Sequence, residues 1–145
     1  DGNVQFVEQP MSPDVAESDW IWLRDRSPLP LFGDESYQSA ADAARCARQF
    51  HGVNVKLVKT GGITSALSAL EAARRVGLQT MIGCMIESSV LITAGAHLAA
   101  LADYLDLDGN LLTTNDPYTG VICERGQLSF ERAMERTGLC VRARS

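Results

Sequence analysis

Four charged residues close short apolar runs: Glu8 after "VQFV", Asp34 after "LPLFG", Lys56 after "VNV" and Asp106 after "DYL", with Asp108 two positions further on. Carboxylates delivered to one place by neighbouring strands repel one another unless a cation neutralises them. A hard divalent ion does so, and Mg2+ prefers a few carboxylate oxygens in octahedral geometry. Beside such an ion a lysine is driven toward its neutral form and becomes a usable base near pH 7. Glu8, Asp34 and Lys56, in that order, therefore read as a metal-plus-base constellation.

That reading needs elements that bring the residues together. Short apolar runs at Val4–Val7, Leu29–Gly33, Val53–Leu57, Gln79–Ile82 and Tyr104–Leu107 predict strands. Between them lie helical stretches: Asp14–Arg26, then Ser39–Phe50 with Ser39 as cap. Thr64–Val76 follows, with Thr64 as cap and Gly77 as stop, and then Ser89–Leu101. Strands alternating with helices imply a parallel sheet covered by helices. An open doubly wound sheet and a (β/α)8 barrel both fit that pattern. The strand ends Glu8, Asp34, Lys56, Gly83 and Asp106 fall 26, 22, 27 and 23 residues apart. This is close to the ~30 per unit of a barrel of about 250 residues. No glycine-rich loop follows the first run, which counts against a dinucleotide fold. Alternation along a strand puts Asn54 with Lys56, Phe32 with Asp34 and Asp106 with Asp108 on common faces. A barrel would converge Glu8, Asp34, Lys56 and Asp106 on its C-terminal mouth.

Bulk properties narrow the field. The 145 residues are 46% hydrophobic and 21% charged with a net charge of -5, which gives no support to nucleic-acid binding. No apolar run approaches the roughly 20 residues needed to cross a bilayer. Cys46, Cys84, Cys123 and Cys140 form no CxxC pair and read as reduced thiols, so a cytoplasmic setting is expected. Each site residue also has a plainer reading. Glu8 is then a solvated strand end, Asp34-Glu35-Ser36 a helix-cap cluster, and Lys56 an ion pair for Asp34. Lys59 reads as a solvated loop charge, His51 as a helix cap, Cys84 as packing, and Glu87 as a helix-start residue or a lining of the mouth. The joint register of Glu8, Asp34, Lys56 and Asp106 favours the site.

The motifs "FVEQP", "FGDES", "VNVKLVKTGGIT", "GCMIESS" and "DLDG", in this order, resemble the enolase superfamily. Within it the chain is most similar to the muconate-lactonising subgroup and its dipeptide epimerases. The resemblance implies a modified TIM barrel, of which residues 1–130 form the C-terminal five-strand portion, with 131–145 as a tail. It implies Mg2+ and abstraction of a proton next to a carboxylate. Glu8 and Asp34 match the second and third metal-ligand positions, and Lys56 matches an acid/base lysine. Asp106 and Asp108 match a pair that binds the free α-ammonium of a dipeptide. A cycloisomerase, an o-succinylbenzoate synthase and a non-catalytic fragment remain the alternatives.

The family's first metal ligand, its paired lysines and its capping domain would all precede residue 1. The chain is accordingly expected to be part of something longer, inactive as an epimerase by itself, with the preceding part as partner and a homo-oligomer as the assembly. Its outer strands, Val4–Glu8 and Tyr104–Asp106, are expected to be open edges, with Phe6 and Phe32 uncovered on the interior face.

Overall fold

The computed structural model describes residues 2–130 and 138–144. Five strands form one sheet in sequence order: β1 (Val7–Glu8), β2 (Leu31–Gly33), β3 (Gly52–Lys56), β4 (Gln79–Gly83) and β5 (Tyr104–Leu105). Every neighbouring pair is parallel, with Glu8 beside Phe32, Phe32 beside Gly52, Lys56 beside Gly83 and Met81 beside Tyr104. Helices α1 (Glu17–Arg26), α2 (Ala43–Gln49), α3 (Leu57–Thr60), α4 (Ile63–Arg75) and α5 (Ser89–Ala96) run between the strands. This is the expected α/β arrangement of a five-strand barrel portion.

The two faces of the sheet differ in what they bury. Val53, Val55 and Ile82 point to the helices and join Trp20, Phe50, Leu57 and Leu70 in the core. Alanines 66, 69 and 73 of α4 are fully buried there, small enough to let the helix approach the sheet closely. On the other face stand Phe6, Glu8, Phe32, Asp34, Asn54, Lys56, Met81 and Tyr104. Neighbouring strands lie about 4.8 Å apart, so the first and fifth of a flat sheet would be about 19 Å apart. Instead the Phe6 ring lies 5.0 Å from that of Tyr104 and 4.3 Å from that of Phe32, with Phe32 and Tyr104 5.5 Å apart. The sheet is strongly curled, with this face inside the curl.

That curl corrects one expectation. Phe32 is 0% exposed and Phe6 half-buried, because the aromatic trio covers itself across the curl. The β1 and β5 backbones remain the sheet's two edges.

Element ends depart from the sequence reading by a few residues, each for a local reason. Strand β3 stops at Lys56, and Leu57 opens a single helical turn that ends at Gly61 in the left-handed region (φ 91°). Helix α4 starts at Ile63 behind Gly62 (φ 118°), so Thr64 is inside it and caps nothing. Ser39 does act as a cap, forming a capping box with Asp42, but on a 3-10 turn leading into α2. The expected helix to Leu101 breaks after Ala96 and resumes as a 3-10 turn at Ala99–Leu101.

Beyond β5 the chain turns antiparallel. Strand β6 (Tyr118–Thr119) pairs with β9 (Arg142–Ala143), and β7 (Ile122–Glu124) forms a hairpin with β8 (Gln127–Ser129). The expected tail, 131–145, falls partly outside the described residues. No helix among those described is long and apolar enough to cross a membrane.

Candidate active site

At the C-terminal ends of the strands, two acids at β1 and β2 stand next to a lysine on β3, and a further acid follows β5. The Lys56 ammonium donates to Asp34 Oδ2 at 2.7 Å, across the β2–β3 step. Lys59 donates to the other carboxylate oxygen, Oδ1, at 2.5 Å. Lys59 was expected to be a solvated loop charge; the structure buries it. The reason is helix α3, whose turn swings position 59 back over the strand end that holds position 56.

Glu8 lies one strand further out. Its Oε1 accepts from Asn54 Nδ2 at 2.7 Å, and Asn54 is 1% exposed. The Asn54 Oδ1 is buried without a partner, packed beside Gly83, where no Cβ intervenes. Gln9, which the sequence reading passed over, braces the far side of Asp34. Its Oε1 accepts from the Asp34 N–H at 2.8 Å and from the Ser36 N–H at 3.3 Å, while its Nε2 donates to Ser36 Oγ at 2.9 Å. Gln9 takes a positive φ (38°) to reach them. That Gln directly follows the strand-end Glu in "VEQP" is the available sequence signal.

The ionisation preferences follow from these contacts. Burial raises the Glu8 carboxyl above its ordinary value, and the Asp34 and Asp106 charges add to that against the Asn54 hydrogen bond and the Lys56 charge. Burial also works to raise Asp34, but the hydrogen bonds and charges of Lys56 and Lys59 outweigh it, and Asp34 is lowered. Lys56 was expected to be driven toward neutrality beside a cation. Its surroundings here are carboxylates: burial would lower it, yet the Asp34 hydrogen bond and the Asp34, Glu8 and Glu35 charges push it up. Lys59 is the lysine that burial pulls down, against the pull of Asp34.

The far side of the mouth is acidic. Burial raises Asp106, Asp108 raises it further, and the charge of Lys56 opposes both. Asp106 and Asp108 line a cleft of about 280 Å³ with Cys84, Met85, Ile86 and Leu112. Glu87, which the sequence left open between two roles, sits within reach of the Lys56 charge and has one buried oxygen without a partner. Helix α5 is served by other residues: Asp116 Oδ2 accepts from the Ser89 N–H at 2.7 Å. Burial keeps the Cys84 thiol protonated, and all four cysteines are free. His51 does not cap α2; its Nδ1 accepts the Leu31 N–H at 3.0 Å, tying the segment before β3 to β2.

The structure thus pairs Lys56 with Asp34 and Glu8 with Asn54 two strands away, and puts the charges of Glu8, Asp34 and Lys56 within reach of one another. It also brings Asp106, with Asp108 beside it, within reach of Glu8 and Lys56. The donor set is hard: two carboxylates with a buried, unpartnered amide oxygen beside them. Such donors fit Mg2+ better than a soft metal. Among the described residues no three His, Cys, Asp or Glu side chains cluster into a ready-made metal site.

A family model described as "Enolase C-terminal domain-like" matches residues 1–128. The L-Ala-D/L-amino acid epimerase of Pedosphaera parvula (strain Ellin514) is 64% identical over 141 residues, covering 97% of this chain and 41% of that protein. A solved structure described as a mandelate racemase/muconate lactonizing enzyme, from Sorangium cellulosum, matches with a TM-score of 0.86 at 36% identity. It covers 99% of this chain and 40% of that one. A dipeptide epimerase from Cytophaga hutchinsonii, solved with Mg and the dipeptide D-Ala-L-Val, matches with a TM-score of 0.78 at 29% identity, over 87% of this chain and 36% of that one. The chain spans about two fifths of the length of the relatives it matches.

Proposed function

Since the chain belongs to the enolase C-terminal domain-like family, we propose that it supplies one half of an isomerase site that abstracts the proton next to a substrate carboxylate and epimerises dipeptides. The observation that carries this reading is the division of the mouth into two charged sectors. One holds Lys56 with Asp34 and Glu8; the other holds Asp106 and Asp108. A dipeptide presents a carboxylate at one end and an ammonium at the other, and with Mg2+ held by Glu8 and Asp34 the sectors would match those ends.

In this reading Glu8 and Asp34 would hold Mg2+, which when bound stabilises the negative charge that builds on the substrate carboxylate as its α-proton leaves. Asp106 and Asp108 receive the ammonium, whose N–H groups find charged acceptors. That contact fixes the substrate's direction and sets its α-carbon toward Lys56. Lys56 takes the proton on one face and returns it from that face in the reverse reaction. To do so it must first lose a proton from its ammonium and give up its hydrogen bond to Asp34 Oδ2; the charge of a bound Mg2+ would favour that loss. Inversion needs a second base on the opposite face, and no described residue of this chain is placed for it. We take that base, the remaining metal ligand and the cap to come from the length that the relatives have and this chain does not. Residues 1–130 then act as the barrel portion, inactive in epimerisation alone. The free thiols suit a reducing, cytoplasmic setting.

The test is exchange in deuterated water, using the intact protein and the two epimers of an L-Ala-containing dipeptide. Lys56→Ala is expected to abolish exchange from one epimer and leave it from the other. Near-wild-type exchange from both would make Lys56 a structural ion pair. No exchange from any dipeptide by the unaltered protein would remove the epimerase reading altogether.

A further inference from the structure

Asp34 has two ammonium partners, and the base needed by the proposed reaction is one of them. Lys56 cannot hold Asp34 Oδ2 and approach a substrate α-carbon at the same time. Without Lys56 and before any metal is bound, a carboxylate only 8% exposed would remain buried without a counter-charge, which is costly, and with Mg2+ bound it would still need a partner to fix its orientation. Lys59 meets that difficulty. Its side chain is 7% exposed, against 11% for Lys56. Its Nζ donates to Asp34 Oδ1 and also to the main-chain oxygens of Asp34 and Asn54. Three acceptors match the three N–H groups of an ammonium, so nothing on Lys59 is left to offer a substrate. The contacts tie the end of β2, by backbone and side chain, to the middle of β3.

We propose that Lys59 is a positioning residue that keeps Asp34 in place, and compensated, while Lys56 is released to act. The inference rests on the reading of Asp34 as a metal ligand and Lys56 as the base. Helix α3 is the device that makes it possible. Three residues after Lys56, one helical turn returns a second ammonium to the same carboxylate, and the Gly61 and Gly62 N–H groups close that turn by both donating to the Leu57 oxygen.

Removing Lys59 sets two effects against each other. As a mere counter-charge, its loss leaves the site more negative and tightens Mg2+ binding. As a positioning residue, its loss lets Asp34 wander and weakens binding; partners that orient metal ligands are commonly worth 10–100-fold in affinity. The experiment is a calorimetric Mg2+ titration of the intact protein and of Lys59→Met and Lys59→Gln, with folding checked by circular dichroism. Glu8→Ala and Asp34→Ala serve as controls. Weakening of roughly tenfold or more in a folded Lys59 variant is the expected result. Unchanged or tighter binding overturns the inference, and so does failure of both Lys59 variants to fold, since the lysine would then be holding the fold. Binding by the unaltered protein that survives both alanine controls would instead remove the metal-ligand reading beneath it.

Discussion

Glu8 sits where its ionised form is disfavoured, chiefly through burial and next through the Asp34 and Asp106 charges. Its folded pKa lies above the ordinary value, so protonated Glu8 favours the fold, and that benefit is lost as pH rises through the folded pKa. Above that window ionised Glu8 is a liability in metal-free protein. Glu8→Gln keeps an oxygen for the Asn54 amide and removes the charge. It should raise stability at pH 7.5 by between about 0.5 and 2 kcal/mol, the usual yield when a functional group is given up. The advantage should vanish as pH falls to the ordinary carboxyl value of 4.5. Urea midpoints at pH 7.5 and 4, without added metal, decide it; a variant no more stable at pH 7.5 would mean that Glu8 does not feel its burial. At this scale the sequence was readable wherever a residue closed a strand, because alternation assigns its face. It misplaced Lys59, since a three-residue spacing carries a side chain to solvent in an extended segment and back over the strand in a helical one. Nothing in "LVKT" announces a four-residue helix; the following Gly-Gly was the only hint.

Strand β3 shows how an element is shaped to hold a site. Gly52 lies beneath the Phe32 ring, and an added Cβ there would collide with it. Two residues along, Asn54 lies against Gly83 of β4 in the same manner. Small and large thus alternate between neighbouring strands, as the filled interior of a barrel requires. Gly52→Ala is expected to destabilise the protein by about 1–3 kcal/mol, the usual cost of overpacking. The ring would have to move, and Phe6 and Tyr104 restrict its options. Thermal denaturation reads the loss, and Gly2→Ala, at a position with open space around it, is the matched control. A Gly52→Ala protein as stable as that control would show that the ring moves freely. Strand order and helix identity were legible from periodicity. Helix ends were less so, because main-chain geometry at Gly62 and the break after Ala96 set them rather than the capping side chains the sequence offers.

For the molecule as a whole, the sequence suggested five strands cut from a ring, with interior aromatics left bare. What it could not show is that the sheet curls far enough for its outermost strands to meet through their side chains. Parity names the face on which Phe6 stands; curvature decides what it finds there. The contact between Phe6 and Tyr104 joins residues 98 positions apart, whereas each strand pairs with the next one along the chain. Closing so long a loop is entropically unfavourable until intervening segments have already shortened it. The expected order of assembly is that neighbouring strand–helix units dock in succession and the aromatic trio locks late, after the rate-limiting step. Tyr104→Ala should therefore speed unfolding by about the full stability loss while leaving the refolding rate nearly unchanged. Stopped-flow refolding and unfolding of the two proteins measure both limbs. A slowed refolding limb would place the trio in the folding nucleus, with the curl formed first and the strands filled in behind it.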